Sequence, residues 1–267
     1  MSMSEAIKAL LRKSLPESQK RMAKQFLYRL LYGGDLPNLA VAFGTDKEDG
    51  HHYARHYQRH FEALRHRKLN VLEIGIGGYQ NPRSGGQSLK MWKAYFPRSR
   101  IFGIDIYDKS FHDEPRIKTF KGSQVDEAFL SKVVEEIGPL DIIIDDGSHL
   151  NEHVIATFKI LFPRLNPEGI YVVEDLQTSY WDNVEGQRWG GAKELTAPHT
   201  SMNFFKSLVD GLNYAEFTLD DYAPSYFDRH IVSMHFYHSL AFIHKGLNDE
   251  AGYVRGHPSR RTNARNP

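Results

Sequence analysis

From Leu69 onward, strand-like apolar runs alternate with helical stretches, and this alternation limits the accessible folds more than any other feature of the chain. The runs are Asn70 to Ile74, Arg100 to Ile106, Ile117 to Phe120, Asp141 to Ile144 and Ile170 to Val173. Between them lie stretches with helical patterning: Gln87 to Phe96, Asp126 to Ile137 and Glu152 to Leu165. A helix between consecutive strands forces a crossover. The expectation is an α/β fold with a mostly parallel, doubly wound sheet covered on both faces. A Gly- and Trp-rich stretch, Ser179 to Ala192, follows, then a predicted helix over Ser201 to Leu212. Two adjacent β runs, Ile231 to Tyr237 and Ser239 to Lys245, predict a C-terminal antiparallel hairpin.

Upstream, Ile7, Leu10, Leu11, Leu15, Met22, Phe26, Leu27, Leu30 and Leu31 recur at helical spacing, with a break expected at Pro16. The Lys and Arg residues between them predict a solvated face on an N-terminal helical extension. Gly33-Gly34 ends this segment. A loop is expected next, then a helix from His51 to Arg67. The expected division is 1–38 as the extension, 39–255 as the main domain and 256–267, which lacks large apolar residues, as a mobile tail.

Lys plus Arg total 34 against 33 Asp plus Glu, a formal net charge of +1. That gives no phosphate-neutralising surplus, so nucleic acid is not an expected partner. The chain has no Cys, which excludes disulfide scaffolds, thiolate metal sites and Cys nucleophiles. Its apolar runs fall far short of the roughly 20 residues of a membrane span. No signal-peptide pattern opens it, and a soluble, cytoplasmic protein is expected.

In open α/β sheets, ligands bind beyond the carboxyl ends of the strands. The first strand runs into Glu73-Ile74-Gly75-Ile76-Gly77-Gly78, where glycines permit close backbone approach. A dinucleotide fingerprint would need a third glycine where Gln80 stands. Asp105, at the end of the next strand, is placed to accept hydrogen bonds from ribose hydroxyls. A nucleoside-type cofactor without a pyrophosphate, such as S-adenosylmethionine (SAM), fits both features.

The fourth strand ends in Asp145-Asp146-Gly147-Ser148-His149 and the fifth in Glu174-Asp175. Acids converging from neighbouring strand ends are costly unless a cation sits among them. Oxygen donors favour Mg²⁺, Mn²⁺ or Ca²⁺. Asp146, Glu174 and Asp175 are the candidate ligands, with Asp145 an alternative contact on the cofactor side. Capping of the following helices would explain any one of these acids but explains both clusters poorly. His149, three residues after Asp146, is the candidate general base for a metal-bound hydroxyl.

These segments resemble class I SAM-dependent methyltransferases, which have a Rossmann-like fold. The likeness is specifically to the metal-dependent sugar O-methyltransferases of macrolide biosynthesis. It is carried by Phe43-Gly44-Thr45-Asp46-Lys47, Val71 to Gly77, Gly86 to Trp92, Gly103 to Ile106, Asp145 to His149, Val173-Glu174-Asp175, His235-Phe236-Tyr237 and Lys245-Gly246. It spans roughly Leu39 to Gly246. The resemblance implies that Asp146, Glu174 and Asp175 bind Mg²⁺ and that His149 is the catalytic base. It further implies SAM contacts from Glu73, Gly75, Gly77, Ser88, Asp105 and the Gly122-Ser123-Gln124 turn. Those macrolide enzymes carry a substantial extra N-terminal domain. Only short helices precede Gly44 here, so the substrate pocket and oligomer contacts are expected to differ.

The implied reaction is in-line methyl transfer to a sugar hydroxyl of a glycoside or oligosaccharide. Macrolide deoxysugars and a mannose-type polysaccharide precursor, the substrate class of a related mycobacterial-type enzyme, are both open, as is a homodimer. A catechol-type acceptor, a non-catalytic SAM-binding protein and an NAD-linked oxidoreductase are the competing readings. Tyr180, Trp181 and Trp189 could stack on either a sugar or an aromatic ring and do not choose between them.

Overall fold

The computed structural model describes residues 16–219 and 221–252. The expectations for Ile7 to Leu15 and for the 256–267 tail lie outside the described residues. The strands are β1 (Asn70–Ile74), β2 (Arg100–Asp105), β3 (Ile117–Lys121), β4 (Leu140–Asp145), β5 (Leu165–Val173), the two-residue β6 (Asn183–Val184) and β7 (Gln187–Arg188), β8 (Ile231–Tyr237) and β9 (Leu240–Lys245). Seven of them form one sheet in the order β3-β2-β1-β4-β5-β9-β8. Pairings from β3 to β5 are parallel, and β9 and β8 close the edge antiparallel. This is the expected α/β, Rossmann-like architecture, a mostly parallel doubly wound sheet with its C-terminal antiparallel hairpin.

Residue alternation along each strand divides the core into two layers. Val71, Ile101, Ile142, Ile144, Val172 and Phe242 face one side, against Leu36, Tyr57, Phe61, Trp92 and Phe96. Leu72, Ile104, Ile143, Tyr171, Val173 and Ile243 face the other, against Leu130, Phe158, Leu161 and Phe205. Burial on both faces is why these strands read as nearly unbroken apolar runs.

Three expectations are corrected. The loop expected after Gly34 is instead two helices, Leu36–Phe43 and Asp46–Asp49. The first is started by the Asp35 side chain, which accepts from the Asn38 amide at 3.0 Å, and by Pro37 in its first turn. It is stopped by left-handed Gly44 (φ 71°). This helix straddles position 38 and buries Leu36, Leu39 and Ala40 in the sheet's own core. The helix expected from His51 begins only at Ala54, after His52 adopts φ 58°. The helix expected to reach Leu165 ends at Leu161, because Pro163 lacks an amide hydrogen, and β5 begins at Leu165.

The Glu17–Tyr32 helix matches its apolar spacing, yet of that stripe Leu27 is buried while Phe26 and Leu30 point outward. No helix among the described residues is long and apolar enough to cross a membrane.

Candidate active site

The sheet reverses winding direction between β1 and β4, so the chain leaves adjacent strand ends in opposite directions and opens a crevice there. Gly75, just beyond β1, has φ 85°, and a Cβ on it would lie 1.9 Å from the Asp146 carbonyl oxygen. This glycine therefore lets the β1 and β4 exits touch. The next turn folds back on itself: a Cβ on Gly78 would meet Ser84 backbone at 2.3 Å. Buried Lys109 holds that loop by donating to the carbonyls of Tyr79, Asn81 and Ser84 at 2.7, 3.0 and 3.3 Å.

β4 and β5 are adjacent, and the Glu174 amide donates to the Asp145 carbonyl at 3.0 Å. Asp146, His149 and Asp175 are thereby gathered with one ligand atom each within 4.8 Å of one another. His149 Nε2 lies 3.9 Å from Asp146 Oδ1 and 3.6 Å from Asp175 Oδ2. These gaps are too long for hydrogen bonds and leave space between acceptor-only oxygens. His149 and Asp175 both hold left-handed backbone (φ 56° each), a conformation that costs energy in non-glycine residues and concentrates at functional sites.

Glu174, expected as a third ligand, is adjacent to this group but outside it. Its Oε1 accepts from Lys47 Nζ at 2.6 Å and from the Tyr57 hydroxyl. Lys47 also donates to Asp146 Oδ2 at 2.8 Å and lies 3.5 Å from Glu73 Oε1. Converging buried acids need a cation among them, and Lys47, 1% exposed, supplies one from within the chain. Burial works against its charge, but the Asp146, Glu174 and Glu73 carboxylates outweigh burial and hold Lys47 well above the usual lysine range. Burial raises Glu73, Asp146 and Glu174, with Lys47 opposing it in each. Asp175 is likewise penalised by burial, but His149, His51 and the Tyr53 hydroxyl (2.8 Å) bring it below the usual range.

Lys47, Tyr53 and Tyr57 are the residues the sequence reading missed. Lys47 enters the sequence reading only within Phe43-Gly44-Thr45-Asp46-Lys47, a segment that carries the family resemblance. Tyr53, Tyr57 and Phe61 recur every four residues, so one helix face carries them all, and that spacing was the available signal.

The expected cofactor contacts divide. Glu73 is fully buried and accepts from Ser88 Oγ at 2.7 Å and Trp92 Nε1 at 3.2 Å. Gln124 spans the interior, donating to Asp145 Oδ1 and Thr157 and accepting from the Ser148 amide. Asp145 is buried too, accepts from Tyr171, and is pushed up to about 7 by burial. These groups brace the crevice floor. Asp105 accepts from the Ile76 and Tyr107 amides at 3.0 and 2.8 Å, fixing the turn after β1. Beside it Ile106 is exposed, and Gly77 and Ser123 stand at neighbouring strand ends.

Trp189 tilts toward His149 with ring centroids 6.5 Å apart, and Trp181 stands edge-on to Trp189. Buried Asn151 anchors this aromatic wall by donating to the carbonyls of Thr178 and Trp189.

No protein-family model matches the chain. It is 46% identical over 220 residues to mycinamicin VI 2''-O-methyltransferase of Micromonospora griseorubida, covering 82% of this chain and 54% of that protein. It is 48% identical over 220 residues to demethylmacrocin O-methyltransferase of Streptomyces fradiae, covering 82% and 55%. It is 47% identical over 226 residues to 8-demethyl-8-alpha-L-rhamnosyl tetracenomycin-C 2'-O-methyltransferase of Streptomyces olivaceus, covering 83% and 58%. The chain thus spans little more than half the length of these relatives. Among solved structures it is similar to the MycE methyltransferase of the mycinamycin biosynthetic pathway in complex with Mg and SAH. The TM-score is 0.78 at 46% identity, over 82% of this chain and 56% of that one. Over the region they share, the chain is a homologue of these O-methyltransferases in both sequence and fold.

Proposed function

We propose that the protein is a SAM- and Mg²⁺-dependent O-methyltransferase acting on a sugar hydroxyl of a glycosylated small molecule. The observation that carries this reading is the group formed by Asp146, Asp175 and His149 at the ends of β4 and β5, one crevice away from the β1 glycine turn. The donor set fits a hard divalent ion: two carboxylates offer free oxygens across a gap, with no soft ligand between them. Asp146 Oδ1 and Asp175 Oδ2 would hold Mg²⁺. Glu174 supports them through Lys47, which fixes the other oxygen of Asp146. Bound Mg²⁺ would lower the pKa of a hydroxyl chelated to it, and bound SAM would supply a methyl group on a good leaving group. The turn Gly75 to Gly78, Asp105 and Ser123 line the crevice on the SAM side, with Ile106 offering an apolar face.

His149 Nε2 faces the same gap and takes the hydroxyl proton as methyl transfer proceeds. Left-handed backbone at His149 and Asp175 aims both side chains into the gap. Tyr53 and His51 steady Asp175 from behind. Trp181 and Trp189 form a wall on which a sugar face stacks. Relatives whose names specify methylation of a rhamnosyl group support the sugar over a catechol.

The test is mass spectrometry of methyl transfer from SAM to rhamnosyl and deoxysugar glycosides, mannose oligosaccharides and catechols, with and without EDTA. EDTA-sensitive methylation of a sugar hydroxyl is expected. Transfer that ignores EDTA, or that occurs only on catechols, overturns the proposal.

A further inference from the structure

A second cluster of metal-binding side chains lies away from the crevice, on the antiparallel edge of the sheet. His235 in β8 and His244 in β9 are diagonal neighbours on one sheet face, since His235 pairs with Phe242 and Ser233 with His244. The Ala54–Phe61 helix packs on that face through His60, whose ring stacks on Phe242 with centroids 4.0 Å apart. One nitrogen from each of the three imidazoles lies within 4.8 Å of the others. His60 Nδ1 and His244 Nε2 are 3.1 Å apart. Two nitrogens sharing a tetrahedral zinc ion would be about 3.3 Å apart, given Zn–N bonds near 2.0–2.1 Å.

We propose that His60, His235 and His244 form a tri-imidazole site for a borderline divalent transition metal, with Zn²⁺ the expected ion. Three neutral nitrogen donors select Zn²⁺ over Mg²⁺ or Ca²⁺, which require oxygen. Burial, then repulsion from neighbouring imidazoles, pushes both His60 and His244 down to about 4, so each ring is neutral at pH 7 and has one nitrogen lone pair to offer. Tyr237 contacts the far nitrogen of His60 at 3.0 Å, orienting the ring as outer partners of metal-bound histidines do. His235 is exposed, which leaves an open coordination position toward solvent.

The metal would tie helix to hairpin. That helix carries Tyr57, one turn before His60, which grips Glu174, and the residue just ahead of it, Tyr53, grips Asp175. Tyr53 also reaches the carbonyl of Ser239 in the turn between β8 and β9, at 3.3 Å. A clip at His60 therefore stiffens the segment bracing the acidic crevice, while remaining separate from it.

Tag-free protein is stripped with a chelator and returned to excess Mg²⁺, which occupies the carboxylate site. Zn²⁺ is then titrated against a chromophoric competitor. One equivalent of Zn²⁺ is expected, with a rise in Tm on binding. H235Q, a change at an exposed residue that does not threaten folding, and H244Q should each weaken binding by at least roughly 10- to 100-fold, the loss seen when only an outer partner is removed. H149A should keep the full equivalent. No Zn²⁺ uptake by the wild type, or unchanged uptake by H235Q and H244Q, overturns the proposal.

Discussion

Replacing Lys47 by methionine tests the electrostatic argument for the crevice most directly. Methionine is close in length and leaves little void, so the effect is that of the missing charge. The wild-type ammonium makes two short contacts, 2.8 Å to Asp146 and 2.6 Å to Glu174, and stands 3.5 Å from Glu73. Removing one partner of a buried ion pair costs about 3–5 kcal/mol, because the other charge is left without compensation. For a chain of this length each kcal/mol moves Tm by roughly 2–4 °C, so Lys47→Met should melt roughly 6–20 °C lower in EDTA at pH 8. The deficit should shrink with acid. Burial already raises Glu174 and Glu73, and without Lys47 they rise further. The folded variant then binds more protons than the unfolded chain, so its stability grows as pH falls. The wild type lacks this slope from Lys47. A lysine raised on folding contributes its full stability below the unfolded lysine pKa of about 10.4 and loses it only above. Mg²⁺ should also restore more Tm in the variant than in the wild type, by replacing the lost positive charge. Urea unfolding of both proteins at pH 5.5 and 8 in EDTA measures these differences. Equal stability at pH 8 would refute the claim that Lys47 neutralises the acids.

Other expectations follow from the same geometry. His149→Ala should lose about 10²- to 10⁴-fold in turnover while SAM affinity by calorimetry is retained. Asp145→Asn should become more stable than the wild type as pH rises from about 4 to about 7, with a plateau above. A carboxyl raised to about 7 is penalised only where it must ionise, and that displacement is worth on the order of 4 kcal/mol, seen in paired urea melts. Gly75→Ala should fail to fold stably, since the new Cβ would sit 1.9 Å from the Asp146 carbonyl and φ is 85°; expression and circular dichroism read this out. Tyr57→Phe should leave Glu174 with one donor fewer and weaken Mg²⁺ binding through Asp146, measured as the Mg²⁺ concentration giving half-maximal activity.

Local pattern carried much of this protein. The apolar runs that became β1 to β5, the helices between them and the β8–β9 hairpin all encode their burial within a few residues of sequence, because side-chain period follows backbone geometry. Acids placed immediately after β4 and β5 were legible too, since strand ends in a parallel sheet have a fixed relation to the ligand crevice. What no local pattern could give was which partner each acid meets. Lys47 is 99 residues from Asp146 and 127 from Glu174 in the chain, and only the packing of two short helices over the sheet ends brings it there. Gly75 reads locally as a cofactor glycine, yet the contact requiring it is the Asp146 backbone on another strand. His60 likewise gains meaning only from strands more than 170 residues away. Sequence determined the layers and the placing of charge. Tertiary structure decided which charges neutralise each other, because Coulombic and coordination partners are chosen by distance in space, and burial sets the cost of leaving any of them alone.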